Sequence, residues 1–274
     1  MAAARIKLLS PQALLTRLAH RLQVLTSGAR DAPVRQQTLR NTLAWSYDLL
    51  DVEEQQLFRR LSVFARGCTL EAVEGLSTAL GDTSADVLDG VASLMDKSLL
   101  RQVEPEGEEP RLLMLATIRE YGLETLASAG GEMESTRRAH TAYYLALAEQ
   151  AELELGGPQQ AAWLERLERE HDNLRAALSW SLEQAGDEEA GQRREIALRF
   201  GGALHMFWWT LGHWSEGRTF LERALAAREG VAASARAKAL YAAANLAFVQ
   251  SNYERADDST SERRCWYEVI ALSQ

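Results

Sequence analysis

The chain has 274 residues, of which 46% are hydrophobic and 25% are charged, and its formal net charge is −9. This length accommodates two domains, or one small domain followed by a solenoid. The acidic balance argues against a general nucleic-acid or anionic-membrane surface, because such surfaces depend on Lys and Arg. Only five prolines and long runs of Ala, Leu, Glu and Arg favour a mainly α-helical fold.

The two cysteines, Cys68 and Cys265, are far apart and lack Cys or His neighbours at metal-ligand spacing, so we expect plain thiols in a reducing cytoplasm. The sequence contains no run of 18 apolar residues, so we expect no membrane span. The segment Ala2 to Leu9 resembles the end of a helix that begins upstream, which leads us to expect an excised fragment. A cytoplasmic protein without a membrane partner is therefore predicted.

The first 34 residues are predicted to be linker helices. Ser10 and Pro11 are a typical helix start, and leucines recur at helical spacing from Leu14 to Leu25. The Gly, Asp and Pro in the stretch from Thr26 to Pro33 indicate a connecting loop.

Two amphipathic helices are predicted between Gln37 and Phe64, joined at Asp51. The Asp51 carboxylate is expected to cap the second helix, and Glu54 is expected to complete a capping box with it. Such a pair starts a three-helix DNA-binding-like domain or a small bundle.

Further along, helices are predicted from Thr69 to about Leu80 and from Ser84 to Met95. Two short apolar runs follow, Ser98 to Val103 and Arg111 to Leu115, and they predict a β-hairpin with Gly107 in its loop. Helices followed by a hairpin indicate a winged-helix domain over residues 35–130. A last helix from Thr117, in which Gly122 permits a close approach, ends at Gly130 and Gly131, the predicted domain boundary.

Residues 131–274 are predicted to be a helical repeat domain, with breaks at Gly156 to Pro158, at Gly186, at Gly212 and at Gly230. A similarity between two short segments, here called the repeat echo, supports a repeat. Trp214 follows Gly212-His213, and Tyr253, which is 39 residues further on, follows Ser251-Asn252. In each case the aromatic residue is expected to follow a tight turn and open a helix. Residues 257–274 differ from the pattern expected of a repeat. They are either an incomplete terminal helical hairpin or a segment that is not the original continuation of the repeat.

Several ordered motifs, including LLSPQALLTRL, RQQTLRNTLAWSYDLLDVEEQQLFRRLSVFARGCTLEAVE, SLMDKSLL and WLERLEREHDNLRAALSW, resemble the large bacterial transcriptional regulators built on a STAND (NB-ARC-like) ATPase core. The resemblance implies a mainly α fold: a winged helix with a small β-hairpin wing, then an α-solenoid of the tetratricopeptide type. It also implies a signal-transduction role, in which the solenoid binds a protein or small-molecule inducer and the winged helix couples this event to the upstream ATPase domain.

This chain contains no phosphate-binding G-x-x-x-x-G-K-[ST] loop and no Walker B run, so we expect no cofactor and no catalysis here. ATP or ADP with Mg²⁺ is implied only for a full-length parent. The family's phosphate-sensing Met-His-Asp motif corresponds to Met114, Leu115 and Ala116, which lack its two polar residues.

DNA binding is the alternative function. The helix at the recognition position carries Asp86 and Asp89, with Asp96 and Lys97 at its end, and therefore offers no Arg for guanine. A structural and regulatory winged helix is the favoured interpretation.

The aromatic residues of the second half suggest one binding surface. Trp163, Leu167, Leu174 and Leu178 are expected to form one helical core stripe. Trp208 and Trp209 are adjacent and must point about 100° apart, so one of them is predicted to line a groove. Together with His205 they are the partner-binding candidates. His171 is expected to be a hydrogen-bonded interhelical residue, and the absence of i,i+4 histidine pairs predicts no metal site.

Overall fold

The computed structural model describes residues 39–82, 84–104, 109–183, 187–226 and 231–257, with side chains described except at 84–86, 187–189 and 251–257. The predicted linker helices of residues 1–34, the hairpin glycine Gly107, the breaks at Gly186 and Gly230, Cys265 and residues 258–274 lie outside these ranges. The chain divides into two compact units, residues 1–143 and residues 144–274.

In the described part of unit 1, before the helix that runs into unit 2, four helices are followed by a two-stranded antiparallel sheet and a fifth helix. Their bounds are α1 Leu39–Asp48, α2 Val52–Leu61, α3 Leu70–Leu80, α4 Ser84–Asp96, β1 Arg101–Val103, β2 Arg111–Leu113 and α5 Ala116–Ser128. The sheet pairs Arg101 with Leu113 and Val103 with Arg111. This order of helices followed by a hairpin confirms the predicted winged helix.

The junction of α1 and α2 has the geometry that its sequence predicts. The Asp51 side chain accepts a hydrogen bond from the Glu54 backbone N–H, and the Glu54 carboxylate accepts one from the Asp51 backbone N–H. This capping box satisfies two N–H groups that a helix start otherwise leaves without partners. Thr69 likewise caps α3, and Gly81 ends it with a φ of +93°.

Aromatic and aliphatic side chains fill the core of unit 1. Phe58 is 1% exposed, and its ring lies 5.5 Å from that of Tyr47, which in turn lies 5.8 Å from the Tyr121 ring of α5. A Cβ added at Gly122 would lie 2.7 Å from the Ser62 Cβ, which confirms the predicted close approach at this glycine. The core therefore joins α1, α2 and α5.

The segment before α3 adds a bridge to the wing that the sequence analysis missed. Cys68, for which the sequence predicted only a plain thiol, exchanges two backbone hydrogen bonds with Leu112, with N···O distances of 3.0 and 2.8 Å. Gly67 permits this with a φ of +82°, and a Cβ there would lie 2.4 Å from the Leu112 carbonyl oxygen. The Cys68 side chain is buried.

Helix α6, Glu132–Glu154, continues through the division between the two units. Its start follows Gly130 and Gly131, which both have positive φ and form the break predicted there. The two compact units meet between Tyr143 and Tyr144, which is 12 residues beyond the domain boundary predicted at Gly131. Residues after a helix break can still pack on the preceding domain, and a Cβ at Gly75 of α3 would lie 2.6 Å from the Tyr143 ring.

Unit 2 is helical throughout its described residues. After the end of α6 its helices are α7 Gln160–Arg169, α8 His171–Ser181, α9 Asp187–Ala203, α10 His205–Leu211, α11 Trp214–Leu225 and α12 Ala233–Asp257. The long helix α12 packs against α9 and α11. The predicted breaks at Gly156 to Pro158 and at Gly212 are confirmed. The structure also has helix breaks at Glu170 and Leu204, which the sequence analysis did not predict.

Two sequence predictions for unit 2 are wrong. Ser251 to Tyr253 lie within the continuous helix α12, so no tight turn precedes Tyr253 and the proposed repeat echo fails at its second member. The stripe from Trp163 to Leu178 is not on a single helix, because it is split between α7 and α8, and Trp163 is only half-buried. Its three leucines are nevertheless buried in the core, as predicted. Local periodicity did not reveal these changes because polar and alanine-rich residues are compatible with both turns and helices.

Candidate functional site

A surface of exposed aromatic groups lies on α10 and α12 of unit 2. We define the aromatic surface as His205, Trp209, Tyr241 and Asn245. Trp209 is 37% exposed and Tyr241 is 65% exposed. The His205 ring lies 6.1 Å from that of Trp209 and 5.7 Å from that of Tyr241, and its Nε2 lies 3.5 Å from the Asn245 Nδ2. His205 is therefore the centre of this surface.

The two adjacent tryptophans have the different environments that helix geometry predicts. Successive residues of a helix point about 100° apart. Trp208 is fully buried, with its ring 5.9 Å from that of Phe220 in α11, whereas Trp209 faces outward. Of the three partner-binding candidates, the structure brings His205 and Trp209 together at the surface and places Trp208 in the core. Trp208 thus supports the surface from below.

The Trp209 backbone is held by the following turn. The Trp214 Nε1 donates a hydrogen bond of 2.9 Å to the Trp209 carbonyl oxygen. Gly217, one turn into α11, allows close packing, since a Cβ there would lie 2.6 Å from the Trp208 ring and 2.8 Å from Leu246 of α12. The short helix α10 is therefore fixed on both sides by α11 and α12.

Burial lowers the pKa of the His205 imidazole, with the negative field of Glu152 acting weakly in the opposite direction. The ring is consequently neutral near pH 7, with one nitrogen able to donate and the other able to accept a hydrogen bond. Tyr241 and Phe248 lie seven residues apart on α12, and Phe248 is 64% exposed. An i,i+7 spacing places them on one helix face, so the apolar area extends along α12.

The winged helix presents a different chemistry at its recognition helix, α4. Asp89 and Asp96 are exposed there. Lys97 donates a hydrogen bond to the Glu54 carboxylate, as does Ser93. The hydrogen bonds from Lys97 and Ser93 lower the Glu54 pKa to about 2, so this ion pair is formed at neutral pH. A phosphate approaching α4 would meet carboxylates and a lysine already paired to one.

A cavity of about 560 Å³ opens between α2 and α4 and has the same acidic character. Five carboxylates line it together with one guanidinium, that of Arg60, which forms an ion pair with Asp82; the carboxylates are Asp51, Glu53, Glu54, Asp82 and Asp89. Clefts lined by one sign of charge concentrate ions of the opposite sign. This cavity therefore disfavours nucleotide phosphates.

The residues that the sequence resemblance matched to a phosphate-sensing motif lie between β2 and α5. Met114 and Leu115 follow the strand, and Ala116 is the first residue of α5. Leu115 occupies the N-cap position without a side-chain hydrogen bond and is 48% exposed. These side chains supply no polar group of their own for a phosphate.

The structure also brings together three groups that the sequence analysis kept apart. Glu168 at the end of α7, His171 at the start of α8 and His213 before α11 place one ligand atom each within 4.8 Å of one another. His171 also hydrogen-bonds Glu216 of α11 with an Nε2–Oε1 distance of 3.2 Å, as expected for an interhelical residue. The i,i+4 search missed this cluster because its histidines come from different helices. The nearby carboxylate Glu170 accepts hydrogen bonds from Tyr144 of α6 and Asn173 of α8, and so links these two helices.

Among the described residues, no helix combines the length and the apolar character needed to cross a membrane.

The order of helices and wing in unit 1 defines a winged helix-turn-helix domain. In agreement, residues 50–127 match the family model described as "Winged helix-turn-helix domain". The chain is homologous to proteins provisionally named HTH-type transcriptional regulators from Mycobacterium tuberculosis strain H37Rv and from Mycobacterium bovis. Each is 36% identical over 243 residues, covering 87% of this chain and 26% of the relative.

A second relative, described as an uncharacterised protein of Mycobacterium tuberculosis strain H37Rv, is 34% identical over 131 residues, which are 47% of this chain and 33% of that protein. The chain thus spans about a quarter to a third of the length of the curated relatives that it matches. No solved structure matches significantly.

Proposed function

We propose that this chain is the regulatory and sensor part of a STAND-type ATPase that controls transcription in the cytoplasm. In this proposal the helical unit, a tetratricopeptide-like solenoid, binds a protein or small-molecule inducer at the aromatic surface. The observation that carries the proposal is the exposure of Trp209 and Tyr241 around a half-buried, neutral His205. Aromatic groups of this kind, with hydrogen-bonding atoms among them, are typical anchors of binding surfaces.

The winged helix would act as a coupling element for a nucleotide-binding domain located elsewhere in a longer parent protein. The names of the mycobacterial relatives support a role in transcription, and their greater length leaves room for further domains. Catalysis, ATP or ADP and Mg²⁺ belong to that other domain in the proposal. Coupling requires that the inducer bind one arrangement of the parent protein more tightly than another.

Direct DNA binding by the winged helix is the second candidate, and the family match over residues 50–127 favours it. The charges oppose it, because α4 exposes Asp89 and Asp96 and the Lys97 ammonium pairs with Glu54. Affinity for DNA depends mainly on cations that neutralise phosphates. We therefore place the DNA contact of the parent outside this chain.

The coupling proposal is tested on the parent protein, expressed with the sequence that precedes this chain. Release of a fluorescent ADP analogue is measured for the wild type and for a Trp209→Ala, Tyr241→Ala double variant. Fractions of a cell extract are screened for one that accelerates release of the ADP analogue. We expect such a fraction to accelerate release from the wild type at least threefold and release from the double variant by much less. Leu153→Ala, a change at a residue that is 81% exposed and outside the aromatic surface, is the matched control.

Equal responses of the wild type and the double variant would refute the role of the aromatic surface.

The DNA alternative has its own test, a gel shift of the 274-residue chain with a pool of random duplexes at 50 and 200 mM salt. We expect no retardation up to high micromolar protein at either concentration. Retardation that is strong at low salt and lost at high salt would establish the DNA-binding function instead.

A further inference from the structure

Glu168, His171 and His213 form a compact set of metal-ligand groups at three helix ends. His171 is the first residue of α8 and Glu168 lies three residues before it, so the break at Glu170 places both at one corner of unit 2. His213 follows the left-handed Gly212, whose φ is +78°, and directly precedes α11. The turn at Gly212 thus directs the second imidazole to the same corner.

The distances among the three groups are close to those of a metal site. The His213 Nε2 lies 2.9 Å from the Glu168 Oε2, and the His171 Nδ1 lies 3.8 Å from the same oxygen. The two imidazole rings have centroids 4.3 Å apart with an interplanar angle of 49°. Ligands at about 2.0–2.1 Å from a tetrahedral Zn²⁺ are separated by ~3.3 Å, so shifts of well under 1 Å bring these pairs into coordination geometry.

Glu216 provides the supporting contact that metal-binding histidines usually have. It contacts the His171 Nε2 at 3.2 Å, which leaves Nδ1 as the nitrogen facing Glu168. Arg175 holds the Glu216 carboxylate through Nε at 2.9 Å. A carboxylate on the far nitrogen fixes the tautomer and orientation of a ligating imidazole.

We propose that Glu168, His171 and His213 bind one divalent transition-metal ion of the Zn²⁺ class. Two imidazoles and one carboxylate suit Zn²⁺ and its neighbours better than Mg²⁺ or Ca²⁺, which prefer oxygen ligands. His171 is buried, whereas the Glu168 side chain is 49% exposed, so the fourth position opens toward solvent for a water molecule. The ion joins the α7–α8 corner to the turn before α11, independently of the inducer function proposed above.

The test uses the full 274-residue chain after removal of metals with a chelator. Zn²⁺ is titrated in competition with a chromophoric chelator, and Co²⁺ is titrated as a spectroscopic probe. We expect one equivalent of Zn²⁺ to bind, and Co²⁺ to give visible bands of a four- or five-coordinate site without the charge-transfer band of a thiolate. The last point separates this site from one built on Cys68 or Cys265.

The variants Glu168→Gln and His213→Gln should weaken Zn²⁺ binding at least 100-fold, and Glu216→Gln should weaken it roughly 10-fold through its effect on His171. Glu165→Gln, one turn earlier on α7, and His205→Gln, elsewhere in unit 2, are matched controls that should bind like the wild type. Far-UV circular dichroism verifies the fold of each variant. The proposal is overturned if the wild type binds no Zn²⁺ tighter than 100 µM, or if Glu168→Gln and His213→Gln bind like the controls.

Discussion

Trp208 and Trp209 are adjacent in sequence, yet Trp208 is fully buried and Trp209 keeps 37% of its surface exposed. Trp208 packs on α11, where Gly217 makes room for its ring. Trp209 faces outward beside His205 and Tyr241. Trp208 therefore belongs to the core, whereas Trp209 is available for the binding role proposed above, so the two contributions can be separated by mutation.

Substitution of the two tryptophans should lower the stability of the protein to very different extents. Trp208→Ala leaves a large cavity and is expected to lower the free energy of unfolding by about 3–5 kcal/mol. Trp209→Ala removes a partly exposed ring and should cost at most about 1 kcal/mol, while it weakens the inducer response of the parent. Urea unfolding followed by circular dichroism measures both values. Comparable losses for the two variants would contradict the division of roles.

Gly217→Ala should destabilise unit 2 although alanine is the better helix former. The added Cβ would lie 2.6 Å from the Trp208 ring and 2.8 Å from Leu246. Such overpacking costs roughly 1–3 kcal/mol, more than the ~1 kcal/mol gained in helix propensity. Thermal unfolding should show a lower midpoint for Gly217→Ala. Ser215→Ala, at an exposed position of the same helix, is the control and should change stability by less than about 0.5 kcal/mol.

The ion pair of Glu54 predicts a pH dependence for unit 1. Hydrogen bonds from Lys97 and Ser93 lower the Glu54 pKa from 4.5 to about 2. Because the folded pKa is the lower one, the stabilisation is fully present above pH 4.5 and is lost as the pH falls toward 2. Glu54→Gln should cost about 1–2 kcal/mol at pH 7, since the charge-assisted hydrogen bonds are lost.

Denaturant unfolding of the wild type and Glu54→Gln at several pH values measures this effect. The difference between the two proteins should shrink between pH 4.5 and pH 2. Glu53→Gln, at the exposed neighbouring position, should stay within about 0.5 kcal/mol of the wild type at every pH. A difference for Glu54→Gln that does not change with pH would show that the ion pair contributes nothing.

Glu132 fixes the start of α6 within unit 1. Its Oε2 accepts a 2.8 Å hydrogen bond from the Arg59 Nε, and its Oε1 lies 3.4 Å from the Arg60 Nε. Glu132→Ala leaves two largely buried guanidiniums without this carboxylate and should cost about 2 kcal/mol. Glu134→Ala breaks an exposed i,i+4 pair with Arg138 and should cost about 0.3–0.5 kcal/mol. A double-mutant cycle of Glu132 with Arg59 should give a coupling energy of roughly 1 kcal/mol or more, and additivity would refute the interaction.

The elements of unit 1 could be predicted from the sequence because their signals are local. Asp51 and Glu54 are three residues apart, so a capping box follows from their spacing alone. Thr69 and Gly81 similarly mark the ends of α3. The hairpin follows from two short apolar runs around a polar loop, although its strands are shorter than the runs. The bridge between Cys68 and Leu112 was missed because it joins residues 44 positions apart.

For unit 2 the sequence determined its helical character and the break at Gly212, and it showed that one of the two adjacent tryptophans must face outward, since these follow from propensity and from 100° per residue. Only the tertiary structure decided that Trp209 is the exposed one, that α12 continues through Tyr253, and that His171 and His213 meet at Glu168. The physical reason is that contacts between helices depend on how the helices pack, and no local pattern records which side chains that packing brings together.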